Sequence, residues 1–214
     1  MRFNEIRWIV LMSALNHVAY AERILAIFGF ENPTQYSFVE SLLKRLVQRG
    51  HYVTTITYFS PEQSIPNLRN IVITENEILY NELLNTIIDP LDIDHFNVRG
   101  KLYSIGFKIC ENILGHESVQ NLMRNEAFDL IFIDVIFSES LFGFAQHFKA
   151  PIVGLSTIGT TSRTDELVGN ITPQSYASIN RWYSQNINLW MRCLNVALYA
   201  LERLHYYYEY IAMI

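Results

Sequence analysis

Asp134 closes the run Phe128-Asp-Leu-Ile-Phe-Ile-Asp134, whose apolar residues belong in a core. A carboxylate at the end of such a strand is desolvated unless it is paired or sits at a site, so Asp134 is a candidate for proton transfer or charge orientation. The competing reading is local. An aspartate there can cap the turn into a helix beginning at Ser138, and on the residues alone the two readings stand level. Among the histidines, His51 falls in a turn ahead of a strand and reads as structural, while His17 lies in an apolar leader. His95, His116, His147 and His205 have no second His or Cys at ligand spacing, so no metal site is expected. Cys110 and Cys193 show no CxxC spacing; one disulfide and two free thiols are both open, and buried free thiols are expected. There is no G-x-S-x-G elbow, which disfavours a Ser/His/Asp hydrolase, and no GxGxxG turn for a dinucleotide.

The elements that must position these groups follow a repeated order. Arg23 to Phe30 is a continuous apolar run suited to a strand buried on both faces, bounded by Asn32-Pro33-Thr34. Ser37 to Arg49 places Phe38, Leu42, Leu43, Leu46 and Val47 at helical spacing, and Gly50 falls where a helix takes its left-handed closing residue. Tyr52 to Tyr58 is a β-branched and aromatic strand. The grammar returns with strand 128–134, helix 138–148 and strand 151–155. Between the two units lie a Pro-punctuated loop, a short strand at 71–74 and helices near 78–88, 100–114 and 117–125. Two βαβ units predict a Rossmann-like, doubly wound parallel α/β sheet. Its ligand crevice lies beyond the carboxyl ends of the strands, at the loops after Phe30, Thr57, Asp134 and Leu155. A Thr-, Ser-, Gly- and Pro-rich loop is expected from Ser156 to about Ser178. From Trp182 the chain is helical, apolar and aromatic, with charges too frequent for a membrane span and a face that needs a partner surface.

The chain has 214 residues, 50% hydrophobic and 17% charged, with a net charge of −5. That balance fits a globular core and offers no basic footprint for nucleic acid. Arg2 and Arg7 precede Trp8-Ile-Val-Leu-Met-Ser-Ala-Leu15 and then Ala19-Tyr-Ala21, the order of a secretory signal peptide. The expected organisation is a leader over 1–21, a Rossmann-like domain over 22–180 and an apolar aromatic helical tail over 181–214. Asn170-Ile171-Thr172 is a glycosylation sequon on that secretory route, with Pro173 behind it as a hindrance.

The joint order of these segments resembles a known family. Ile24-Leu-Ala-Ile-Phe28, a Pro-Thr loop, Leu42 through Arg49-Gly-His-Tyr-Val-Thr54, Phe128 to Asp134, Ala150-Pro-Ile-Val153 and Gly169-Asn-Ile-Thr-Pro-Gln-Ser-Tyr176 look like the N-terminal half of UDP-glycosyltransferases of the animal UDP-glucuronosyltransferase type. The resemblance implies a GT-B fold whose N-terminal domain holds a small lipophilic acceptor and whose second domain holds a UDP-sugar co-substrate. It implies inverting transfer without metal or cofactor, in the endoplasmic-reticulum lumen or at its membrane. In that chemistry a His after the first strand deprotonates the acceptor and an Asp orients the imidazole. Matched through an ungapped helix, the family's Asp falls on Asp134 and its His on Gln35, with Pro33, Thr34 and Tyr36 of the same loop lining the acceptor. Glutamine cannot take a proton at neutral pH.

Two expectations follow from that departure and from the absence of the family's W-x-P-Q donor signature. One is a partial or truncated glycosyltransferase, inactive alone. The other is a non-catalytic luminal or secreted protein that binds a small apolar molecule or forms homo- or heteromers with full-length relatives. Residues 182–214 add an expected peripheral membrane contact.

Overall fold

A computed structural model describes residues 21–29, 33–60, 63–88, 95–157, 159, 162–170 and 188–209. Five strands form one sheet: β1 (Arg23–Ile27), β2 (Tyr52–Thr57), β3 (Leu68–Val72), β4 (Leu130–Asp134) and β5 (Ile152–Leu155). Their order is β3-β2-β1-β4-β5 and every pair is parallel, with Ile27 opposite both Ile56 of β2 and Ile133 of β4. The chain steps outward from β1 to β3, then returns to the other side of β1. The reversal between β1 and β4 is the topological switch point of a Rossmann-like α/β domain, as the sequence predicts.

The helices are α1 (Pro33–Gln48), α2 (Glu75–Ile88), α3 (His95–Gly115), α4 (Glu117–Asn125), α5 (Gly143–Phe148) behind a 3-10 turn at Glu139–Phe142, α6 (Ser162–Leu167) and α7 (Leu189–Glu209). Strand side chains alternate between two apolar layers. Ile24, Ala26 and Phe28 pack with Val39 and Leu43 of α1, whereas Leu25 and Ile27 join Ile105, Ile109 and Ile113 of α3. Each fully buried aliphatic side chain contributes about 1.5–3 kcal/mol, which makes β1, covered on both faces, the centre of the fold. The approach of α3 to the end of β1 is close. A Cβ on Gly29 would sit 2.9 Å from Ile109 Cγ2, so only glycine fits without movement there.

α1 ends as expected. Gly50 has φ 94°, its N–H donates to the Val47 carbonyl at 2.9 Å, and the His51 N–H reaches back to Leu46 at 3.3 Å. That pair of bonds is a Schellman closure, in which a left-handed residue satisfies the last helical carbonyls.

Other boundaries are corrected. α1 begins at Pro33, so Pro33, Thr34, Gln35 and Tyr36 form its first turn rather than a loop. Proline suits the first helical position because its fixed φ is helical and its missing N–H has no partner there anyway. Phe38, expected on the core face, is exposed, and Val39 takes the buried position. β1 stops at Ile27, short of Phe30, and β3 runs over Leu68–Val72 instead of 71–74, held by its register with Val53 to Thr57. α2 and α3 start earlier than expected, and the helix expected over 138–148 opens as the 3-10 turn. The expected loop after Ser156 contains α6, closed by Gly169 at φ 74° with its N–H on Glu166 and the Asn170 N–H on Asp165. In the tail, α7 starts at Leu189; positions 182–187, like residues 1–20 of the leader expected over 1–21, lie outside the described residues. Cys110 is a buried free thiol as expected, but Cys193 is an exposed one, because it faces outward on α7.

Candidate functional site

β4 delivers Asp134 to the carboxyl edge of the sheet, opposite Leu155 of β5 and one residue past Ile133, the neighbour of Ile27. The side chain is 3% exposed. Its Oδ1 accepts the Ile136 N–H at 3.2 Å, an Asx turn that folds the chain back over the strand end. The Ser138 hydroxyl donates to the Asp134 backbone carbonyl, so the carboxylate caps its own turn and not the helix at Ser138. Burial pushes the Asp134 carboxyl up to about 7, against the backbone N–H groups of Ile136 and Val135, which favour the charged form. A carboxyl with that affinity gains and loses its proton near neutrality. The same turn holds Phe137 at φ 51°, with the Cys110 Sγ–H donating to its carbonyl at 3.5 Å. Burial, then the nearby Glu139 charge, raise the Cys110 thiol to about 12, so it serves as a packed, inert group.

Across the switch point stands the first turn of α1. Pro33 and Thr34 are exposed there, and Gln35 and Tyr36 half-buried. Tyr36 stacks on Phe59 with ring centroids 4.5 Å apart, Phe59 meets Tyr58 at 4.2 Å, and Tyr58 meets Tyr80 of α2 at 5.4 Å. This aromatic series runs from α1 past the end of β2 to α2. Sequence reasoning placed a site loop after Thr57 and passed over Phe59, although a Tyr-Phe pair directly behind a strand at that edge was a usable signal. The Thr57 hydroxyl fixes the pair by accepting the Phe59 N–H at 3.2 Å.

The remaining candidates fall elsewhere. The His51 Nδ1 accepts the Glu22 N–H at 3.2 Å, the structural role expected of it, and the His147 Nε2 lies 2.7 Å from the Met123 carbonyl oxygen. Among the described residues no group of His, Cys, Asp and Glu could hold a metal ion. Asn170 is exposed at the end of α6, and Ile171 and Thr172 lie outside the described residues. A cavity of about 460 Å³ opens at the opposite, amino edge of the sheet, between Arg23, Tyr52, Asn67, Arg69 and Glu126. There Glu126 binds both guanidiniums at 2.8 Å, and Arg23 also lies 5.6 Å from the centre of the Phe128 ring. With both cations already paired, this edge reads as a clamp on the strand starts.

The class defined by this sheet and crevice is a Rossmann-like α/β domain of the kind found as the N-terminal domain of GT-B glycosyltransferases. No family model matches the chain, and no solved structure does. Among curated proteins it is similar to UDP-glucosyltransferase 2 of Dactylopius coccus, 28% identical over 207 residues, which cover 93% of this chain and 39% of that protein. It is also similar to UDP-glycosyltransferase UGT4 of Dactylopius coccus, 26% identical over 185 residues, or 81% of this chain and 34% of that protein. The chain therefore spans under half the length of the curated relatives it matches.

Proposed function

We propose that the chain is the acceptor-binding part of a UDP-glycosyltransferase that moves a hexosyl or glucuronosyl group from a UDP-sugar to a small lipophilic hydroxyl or acid. The observation that supports this reading is a buried carboxyl, Asp134, set at the switch point opposite the aromatic first turn of α1, in a chain similar along most of its length to proteins named UDP-glycosyltransferases. Tyr36 and Phe59 supply the flat apolar contact an aromatic acceptor needs. Transfer requires the acceptor oxygen to bond the anomeric carbon as UDP departs, with the acceptor proton passing to a base. Gln35 can hold that hydroxyl by a hydrogen bond but cannot take its proton. In this reading the UDP-sugar is gripped outside these residues, and the chain by itself does not turn over. The setting is the secretory pathway, at the endoplasmic reticulum, with Asn170 as a glycan site.

Gln35 at the base position and the enclosure of Asp134 favour a second reading, a non-catalytic protein that binds a small apolar molecule or joins full-length relatives. Calorimetric titration with a panel of phenols, beside an assay of UDP release from UDP-glucose and UDP-glucuronic acid, separates the cases. Phenol binding weakened by Tyr36→Ala, with UDP release only when a full-length relative is added, is the expected result. UDP release by the chain alone would overturn its inactivity, and absence of any acceptor binding would remove the first reading and leave of the second only the association with full-length relatives.

A further inference from the structure

At the amino edge of the sheet, three neighbouring strands turn polar side chains to one face. Arg23 of β1 lies opposite Tyr52 of β2, while Leu25 lies opposite Thr54, which lies opposite Arg69 of β3. Side chains two apart share a face, so Arg23, Tyr52, Thr54 and Arg69 stand on the side that Leu25 shares with α3. Glu126 reaches across β2 and takes one guanidinium from each flanking strand, in both cases through Nη2. A guanidinium carries five N–H donors in a rigid fork, and here half of each arginine side chain stays exposed beyond the grip. The clamp thus holds two forks in fixed positions without using them up.

The space in front of them is the cavity of about 460 Å³. Small-molecule pockets run from about 300 to 1,000 Å³, so a bare ion underfills it. Its charged lining is Arg23 and Arg69 against Glu126 alone, one positive charge in excess. The exposed carboxylate of Asp129 is no part of that lining and accepts the Arg23 backbone N–H at 2.8 Å. A second observation points to a ligand. Thr54 lines the cavity and is 8% exposed, yet its hydroxyl has no hydrogen-bond partner among the described residues. Buried polar groups are bonded as a rule, and this one faces the space that the two forks border. Tyr52, 53% exposed, adds a flat aromatic wall to the same space.

We infer that this cavity binds a small aromatic carboxylate, its two oxygens taken by the open edges of Arg23 and Arg69 and by the Thr54 hydroxyl, its ring against Tyr52. A planar carboxylate matches a guanidinium fork, and Glu126 pre-organises the pair so that little ordering is left for the ligand to drive. The site lies at the edge of the sheet opposite Asp134, so it is separate from the crevice and does not rest on the glycosyltransferase reading.

Calorimetric titration of the full chain with naphthoate, naphthol and inorganic phosphate tests the inference. Saturable naphthoate binding is expected, with naphthol and phosphate each weaker by roughly tenfold or more. Arg69→Gln leaves Arg23 on Glu126 and should weaken naphthoate by roughly tenfold. Thr54→Val keeps the shape of a strand residue and deletes a hydroxyl that the fold leaves unpaired. The melting temperature should therefore hold or rise while naphthoate affinity falls by about threefold to tenfold, a combination that a merely structural role does not produce. Tyr36→Ala, at the other edge, should leave naphthoate affinity unchanged. Absence of saturable naphthoate binding overturns the inference, as does parental affinity in Thr54→Val and Arg69→Gln. Loss of binding in Tyr36→Ala overturns it in favour of the crevice. Naphthol or phosphate binding as tightly as naphthoate overturns the aromatic carboxylate as the ligand.

Discussion

The Tyr36 and Phe59 rings lie 4.5 Å apart and nearly parallel, which joins the first turn of α1 to the end of β2. Because Tyr36 follows Gln35 directly, this stack also fixes how the Gln35 turn faces the crevice. Tyr36→Ala should cost about 0.5–1.5 kcal/mol of stability beyond the lost burial, read from urea unfolding. It should weaken phenol binding by roughly tenfold if the stacked ring forms part of the acceptor wall. Equal binding by the variant would take Tyr36 out of the site.

Asp134 gives the fold a pH dependence of unusual sign for a carboxylate. Its pKa in the folded chain, about 7, lies above the ordinary carboxyl value of 3.8, so the native state holds a proton that the unfolded chain has already released. Stability from this group is complete below the unfolded value and falls as pH rises toward the folded one, levelling off above it. Asp134→Asn removes the ionisation and should gain roughly 2–4 kcal/mol relative to the parent between pH 4.5 and 8. Superimposable stability profiles for the two proteins would refute the assignment.

Gly154 permits β5 to lie against the chain leaving β4. A Cβ there would come within 2.5 Å of Val135 Cγ1, beside Asp134. Gly154→Ala should therefore destabilise by about 1–3 kcal/mol, and Val135→Ala in the same chain should return part of the loss. Simple additivity of the two substitutions would show that the contact is not the cause.

Glu166 is the common acceptor for the Tyr199 hydroxyl and the Arg203 guanidinium. Its hydrogen bond to Tyr199, followed by burial, raises the phenol above its ordinary range. Glu166→Gln keeps an acceptor and removes the charge, so the Tyr199 titration should move back down, as read by ultraviolet difference spectra. Hydrogen exchange of α7 should quicken by a few fold, since one charge-assisted contact is lost. Unchanged exchange would mean that Tyr206 and Asn195 suffice to hold the helix.

Much of the frame was legible because strand signals were strong where both faces are buried. The runs at Ile24 to Phe28 and Leu130 to Asp134 admit few alternatives, and Gly50 marks its helix end by chemistry alone. The start of α1 was misplaced because Pro33 was read as a loop residue when its fixed φ also opens helices. α6 was missed because five polar residues and a single leucine, Leu167, carry no apolar period; their helix is closed by Gly169 and held by Tyr199 and Arg203, residues that sequence order places far away. Asp134 was legible as a position. Its desolvation was legible too, but the Asx turn to Ile136 that holds the carboxylate was not, since that depends on how the chain leaves β4.

The parallel order also sets a timetable for biosynthesis. β1 is the central strand, yet one of its two neighbours, β4, begins only at Leu130, and the Arg23 N–H waits for the Asp129 carboxylate 106 residues downstream. As the polypeptide leaves the ribosome, β1, β2 and β3 can pair while one flank of β1 keeps its amides and carbonyls unsatisfied for more than a hundred residues of synthesis. At translation rates of about 5–20 residues per second, that interval lasts roughly 5–20 seconds. Until β4 arrives, the open flank of β1 is an exposed strand edge on which another chain can pair.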